Sequence, residues 1–347
     1  MEKKRCGWLD VMKLLCIYGV YVLHYPAAGR VGLFFSSFVV GALFFASGCA
    51  VSLQKDEPLL PFMKKRFLRL MVPYFAFGIG TLLVRVLLLE MSLGEIIGWM
   101  RGLLLARRDT VPVATLWFLP CLFWMAAGYQ LLRKKIRSRG GLLAVCLAIS
   151  VFVKMVHEGP LLPWGIEQAG RYLIYYALGD FVFDAIQTWK KHPAPLWAKA
   201  LLAVFVLGNA FVCYTNFYFG SMYFPSLVGV TALPYPALAL LAFVFQCNGI
   251  VCVLALSMLL QGFPGLCRAG RYTMVFCGAE SLVKTLVPLA CEAVGLVNNW
   301  SDGSHTLVHA ALMLAVAYYA LARPLEAHAP WVLGRITADE KKIKTTV

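Results

Sequence analysis

The sequence predicts an all-α polytopic membrane protein with about ten transmembrane helices. Three observations carry that reading. Apolar residues make up 61% of the 347 positions and charged ones only 14%, well above the apolar share of an ordinary soluble domain. They fall in stretches of roughly 17 to 25 residues, the length that crosses a bilayer as helix. Basic residues concentrate between alternate stretches, the pattern that orients spans with their positive loops in the cytoplasm.

Taken in order, residues 9–26 follow a basic start and hold an apolar run to Tyr25. Residues 32–53 form a Phe-rich run ended by Gln54-Lys55-Asp56-Glu57, and 70–91 begin where Lys64-Lys65-Arg66-Phe67-Leu68-Arg69 ends. Residues 114–132 stop at Arg133-Lys134-Lys135, 141–157 start past Arg139, and 170–188 stop before Lys190-Lys191. Residues 200–216, 236–260, 272–291 and 306–322 complete the series, each bounded by a basic or polar residue. The aromatic, Pro-containing interval 217–235 reads as a membrane-surface segment or a re-entrant loop.

An even number of spans puts both termini on one side. With the N-terminus cytoplasmic, 23 of the 32 basic residues lie in inner segments, and the outer loops hold only Arg30, Arg101, Arg107 and Arg108. The chain is therefore expected in the cell membrane, multi-pass, with both termini cytoplasmic. The first stretch has no small-residue cleavage site behind it and reads as a retained anchor. Residues 1–325 are expected to form one membrane domain and 326–347 a polar cytoplasmic C-terminal tail. The net charge of +15 is accounted for by basic loops beside anionic lipid and needs no nucleic-acid partner. A homo-oligomer is compatible with the sequence. The eleven cysteines are scattered with no Cys-x-x-Cys pair, so they read as small buried hydrophobes, and neither a metal site nor a bound cofactor is expected.

With no P-loop or dinucleotide fingerprint, chemistry must come from the spans and their short loops. His24 is the leading candidate, because an ionisable group at membrane depth is costly and usually functional. Asp10, Lys13 and His24 lie near one stripe of the first helix, with His24 about 21 Å beyond Asp10 along the axis. Imidazole is the side chain suited to removing a hydroxyl proton near neutral pH. Arg66 and Arg69, spaced i,i+3, share a helical face at the mouth of the third span, where two guanidinium forks suit phosphate oxygens. Lys64 and Lys65 read as topology signals. Glu280 and Lys284 stand i,i+4 in the ninth span, where they either neutralise each other or do chemistry. His305 and His309 have the spacing of a helical metal pair but lack a third ligand, and read as interface histidines. Arg171, Asp180 and Asp184 read as helix-end anchors, and Ser47-Gly48 as a packing site.

Together these residues resemble the membrane acyltransferase-3 family, most closely its branch resembling fucose 4-O-acetylases. The motifs are Arg5-x-x-Trp8-x-Asp10-x-x-Lys13 leading to His24; Leu43-Phe44-Phe45-Ala46-Ser47-Gly48; Lys65-Arg66-x-x-Arg69-Leu70-x-x-Pro73-Tyr74; Leu116-Trp117-Phe118-Leu119-Pro120; and Gly270-Arg271-Tyr272-Thr273. The resemblance implies a membrane O-acyltransferase that takes an acyl group, usually acetyl from acetyl-CoA, at the cytoplasmic side. It implies that Arg66 and Arg69 hold the donor's phosphates, that the chemistry occurs at His24, and that a cell-surface carbohydrate is the acceptor; Asp10 and Glu280 are read with His24 as the catalytic residues, and Lys13 with the arginines as a donor contact. Two positions depart from the family's pattern: Glu280 stands where a histidine is common, and Lys13 where an arginine is often found. Outer segments 91–115, 157–168 and 217–235 are expected to shape the acceptor site, with Trp and Tyr stacking on sugar. A transporter or flippase for a lipid-linked sugar is the competing class, but the chain lacks the paired, broken helices that such proteins repeat in two halves.

Overall fold

The computed structural model describes residues 6–334 except 26–27, 54–56, 90, 157–160, 192–195, 198, 201–202, 205, 208–234 and 296–304. Most of the expected span 200–216, nearly all of 217–235, the Arg5 end of the first motif and the tail beyond Gly334 lie outside the described residues.

The described secondary structure is helical throughout, without a strand. Its elements are α1 (Gly7–Leu23), α2 (Gly29–Ser36), α3 (Val39–Cys49), α4 (Leu59–Leu88), α5 (Leu93–Leu105), α6 (Phe118–Lys135), α7 (Arg139–Val156), α8 (Ile166–Lys191), α9 (Tyr235–Leu260), α10 (Pro264–Gly270), α11 (Thr273–Ala293) and α12 (Thr306–His328). Five are long and apolar enough to cross a membrane: α4, α7, α9 from Phe243, α11 and α12.

Three expectations change. The stretch 32–53 is two short helices rather than one span, parted at Ser37-Phe38. There the Ser37 hydroxyl donates to the Phe34 carbonyl at 2.7 Å, a local side-chain bond that competes with helix continuation. The third span begins earlier than 70, because α4 starts at Leu59 and carries the basic run 64–69 as helix. Within the outer segment 91–115, α5 forms behind a capping box in which Ser92 and Glu95 satisfy each other's backbone N–H groups.

The chain divides into two compact units. The first comprises Met1–Gln54, Leu178–Thr273 and Asn299–Leu312. Helix α1 is its centre, packed against α2, α3, α9 and α10. Trp8, Val11, Met12, Cys16, Tyr21 and Val22 are fully buried and Ile17 and Val20 nearly so, and together these eight are spread around the whole axis, as a helix enclosed by others requires. Two glycines set close backbone approaches. A Cβ at Gly179 would lie 2.1 Å from the Phe45 carbonyl oxygen, and one at Gly270 would lie 2.0 Å from that of Asp10. Ser52 donates to the Asp180 carboxylate at the first of these contacts. Asp180 thus lies buried inside α8, not at a helix end as expected, because a hydroxyl from another segment meets it there.

The second unit comprises Lys55–Ala177, Met274–Asn298 and Met313–Val347. Helix α5 folds back along α4: the Tyr74 hydroxyl donates to the Leu103 carbonyl at 2.6 Å and the Trp99 indole to that of Gly78 at 3.2 Å. Helix α6 packs on α4. The Cys277 thiol of α11 donates to the Thr115 carbonyl at 3.2 Å while the Thr115 hydroxyl donates back to the Cys277 carbonyl.

Candidate functional site

In the first unit, α1 positions three of the expected residues. Asp10 occupies its first turn and Lys13 the next, where the negative charge is favoured by the helix dipole. His24 does not lie inside the helix, as the stretch 9–26 suggested. The helix ends at Leu23 and His24 is its C-cap (φ −89°, ψ 3°), half-buried, with its N–H donating to the Val20 carbonyl at 3.2 Å. Asp10 and His24 therefore sit at opposite ends of α1. Around the His24 end, the start of α12 forms a wall. Tyr18 donates to the Leu307 carbonyl at 3.1 Å, the ring of buried Tyr25 lies 5.9 Å from that of His309, and His309 lies 5.8 Å from His305. His309 is thus packed at this interface with the exposed His305 beside it, and no group of three or more His, Cys, Asp or Glu that could hold a metal occurs among the described residues.

In the second unit, α4 carries the two arginines. Arg66 is half-buried and Arg69 exposed. The Arg66 guanidinium lies 5.3 Å from the ring centre of Phe62, one turn earlier. Its Nη2 is buried, with no hydrogen-bond partner among the described residues. A Cβ at Gly334, which holds φ +64°, would lie 2.4 Å from the Arg69 carbonyl oxygen, so the turn Pro330–Leu333 closes on the α4 backbone there. Lys64 is exposed, and Lys65 makes an exposed ion pair with Glu57 at 3.1 Å. That contrast separates Arg66 from its basic neighbours.

Glu280 is 3% exposed on α11. Its carboxylate accepts from the Lys284 ammonium at 2.6 Å, so of the two readings left open by the spacing, pairing is present. Glu280 stands one turn beyond Cys277 and hence beyond the exchange with Thr115.

Sequence reasoning missed Glu167, in the first turn of α8 and 3% exposed. It follows Pro163-Trp164-Gly165, a Pro-Gly turn signal, and an acidic residue in a first helical turn is ordinarily only a dipole partner. Nothing in its spacing announces burial.

A family model described as an acyltransferase domain matches residues 7–278, well over half of the chain. The matched range begins at α1 and runs past the Gly270–Thr273 motif. No curated protein and no solved structure matches the chain.

Proposed function

The chain belongs to the acyltransferase-3 family, and we propose on that premise that this membrane acyltransferase is an O-acetyltransferase. It moves acetyl from cytoplasmic acetyl-CoA to a hydroxyl of an extracytoplasmic glycan or sugar, as in the branch resembling fucose 4-O-acetylases. Both termini face the cytoplasm of a cell membrane in this reading. Arg66 and Arg69, with Lys13, hold the donor's phosphates. His24 takes the proton of the acceptor hydroxyl as the oxygen attacks the thioester carbon. The C–S bond then breaks and the proton passes to the departing CoA thiolate. Asp10 and Glu280 are the carboxylates of the catalytic set. A transient acyl-imidazole is the other route open to His24, and acid-quench trapping distinguishes it.

The observation that carries this reading beyond family membership is the buried Nη2 of Arg66, which has no hydrogen-bond partner among the described residues. A dehydrated donor on a permanently charged group is costly until an acceptor arrives, and phosphate oxygens fit a guanidinium in geometry and charge.

The test is transfer of labelled acetyl from acetyl-CoA to glycan in membranes from expressing cells. His24→Ala should leave the protein inserted and folded while abolishing transfer. Activity above a tenth of wild type in that variant removes His24 from the mechanism, and absence of any transfer by the wild type rejects the reading.

A further inference from the structure

We propose that Glu167, with Trp164, Trp117 and Arg108, forms the subsite that binds the saccharide acceptor. The proposal rests on the O-acetyltransferase reading and names the residues that would hold its second substrate.

All four residues belong to the second unit. Trp164 (φ 61°, ψ 18°) and Gly165 (φ 60°) are consecutive residues in the left-handed region, which suits Gly but strains Trp. Such strain persists only where surroundings impose it, and it clusters at functional sites. Three contacts impose it here. The Trp164 indole N–H donates to the Leu104 carbonyl at 3.1 Å, its ring stacks on Phe67 with centres 6.5 Å apart at 17°, and a Cβ at Gly165 would lie 3.1 Å from that of Cys121.

The strained turn delivers Glu167 into the interior. One carboxylate oxygen, Oε2, accepts from the Leu162 N–H at 3.2 Å. The other, Oε1, is buried with no hydrogen-bond partner among the described residues. A dehydrated carboxylate oxygen without a donor is rare in folded proteins and points to a ligand that brings one. Trp117 borders the same turn, since a Cβ at Gly165 would lie 3.8 Å from its carbonyl oxygen, and the Arg108 guanidinium lies 5.0 Å from the centre of the Trp117 ring.

This combination selects the ligand class. An ammonium ligand would satisfy Oε1 but meet Arg108, and a phosphate would suit Arg108 but meet Glu167. A neutral polyhydroxylated ring offends neither, since its hydroxyls donate to the carboxylate and accept from the guanidinium. Indole rings suit its apolar C–H faces, and a few polar groups among aromatic walls are the usual make-up of a small-molecule site.

The test uses the purified full chain in micelles and saturation-transfer NMR against the methyl glycosides of fucose, galactose, glucose and N-acetylglucosamine, with acetyl-CoA binding measured on the same samples. At least one glycoside should bind saturably. Glu167→Gln should raise its Kd at least tenfold and leave the Kd for acetyl-CoA within twofold. Should that variant not fold, Arg108→Ala, at an exposed position, should raise the glycoside Kd at least fivefold. Saturable binding of no glycoside, or a Kd within twofold of wild type in the folded variant, overturns the assignment. If the wild type binds a glycoside through Glu167 but not acetyl-CoA, the donor reading fails and the subsite stands.

Discussion

Arg66→Ala should damage donor binding without damaging the fold, and the magnitudes follow from what surrounds the guanidinium. In the unliganded protein the substitution removes a buried Nη2 without a hydrogen-bond partner among the described residues, a relief of about 1–3 kcal/mol. It also removes the contact with Phe62, a loss of about 0.5–2 kcal/mol. These nearly cancel, so the unliganded variant should melt no lower than wild type. With acetyl-CoA, the variant loses charge-assisted hydrogen bonds of about 1.5–3 kcal/mol, a ten- to hundredfold rise in KM by the ~1.4 kcal/mol-per-decade rule. Thermal shift gives an independent reading. Donor at a hundred times its Kd stabilises the wild type by about 2.7 kcal/mol, but should stabilise the variant by only about 1.4 or about 0.4 kcal/mol for a tenfold or hundredfold weaker Kd. Arg66→Lys should recover only part, because it keeps the charge and loses the fork. Arg69→Ala should also raise KM. Lys64→Ala should change little, as should Lys65→Ala, since the exposed pair with Glu57 is worth about 0–1 kcal/mol. The assay is steady-state acetyl transfer in proteoliposomes at varied acetyl-CoA. An Arg66→Ala KM within threefold of wild type, or equal effects of all four alanine variants, would refute the reasoning and leave the segment a topology signal.

Glu280→Gln leaves the Lys284 ammonium without its carboxylate and should destabilise by up to about 3–5 kcal/mol. Adding Lys284→Met should restore the melting temperature but not acetyl transfer, and full recovery of activity by the double variant would assign the pair to structure alone. Gly179→Ala should lower the melting temperature by the equivalent of about 1–3 kcal/mol, because the new methyl meets the Phe45 carbonyl and Cys49 N–H of α3, backbone that cannot rotate aside; an unchanged melt would mean that α3 and α8 are not in contact there. Ser92→Ala should cost about 0.5–2 kcal/mol of local stability at neutral pH, read by hydrogen exchange across α5. The hydroxyl and then the N–H of Ser92 hold the Glu95 carboxyl below its ordinary 4.5. That contribution is therefore present above the ordinary value and lost as pH falls through the lowered one. The penalty of Ser92→Ala should narrow in acid, and a constant penalty would remove Glu95 from the cap.

The charged residues of α1 were legible because they interrupt a helix that is otherwise buried all round, and the Arg66–Arg69 face because i,i+3 spacing survives any tilt of α4. The family motifs also acquire physical reasons. Gly270 is where α10 meets the Asp10 backbone, Thr273 closes that turn by donating to the Gly270 carbonyl at 2.7 Å, and Leu116–Pro120 makes the turn into α6. Hydropathy could not find the break at Ser37-Phe38, since a single hydroxyl-to-carbonyl bond changes no average. Nor could it find the first turns of α4, where lysines and arginines conceal helix as loop.

Glu167 was illegible for a deeper reason. The turn that precedes it is held by Leu104, Phe67 and Cys121, which lie on three other segments, and its only local sign is a Pro-Trp-Gly turn of ordinary appearance. The same convergence has a consequence for function. Phe67 lies between Arg66 and Arg69 in the chain, and its ring meets both Trp164 and, with centres 5.7 Å apart, Phe123. Trp164 in turn fixes the turn that carries Glu167. Arg66 and Arg69 on the donor side and Glu167 on the acceptor side are therefore linked through one aromatic contact within one unit. A shift of α4 that accompanies phosphate capture by Arg66 would move Phe67, and so the floor on which Trp164 is held in its strained conformation. Donor and acceptor affinities are then coupled through packing rather than through charge, and by linkage each must change the other by the same factor.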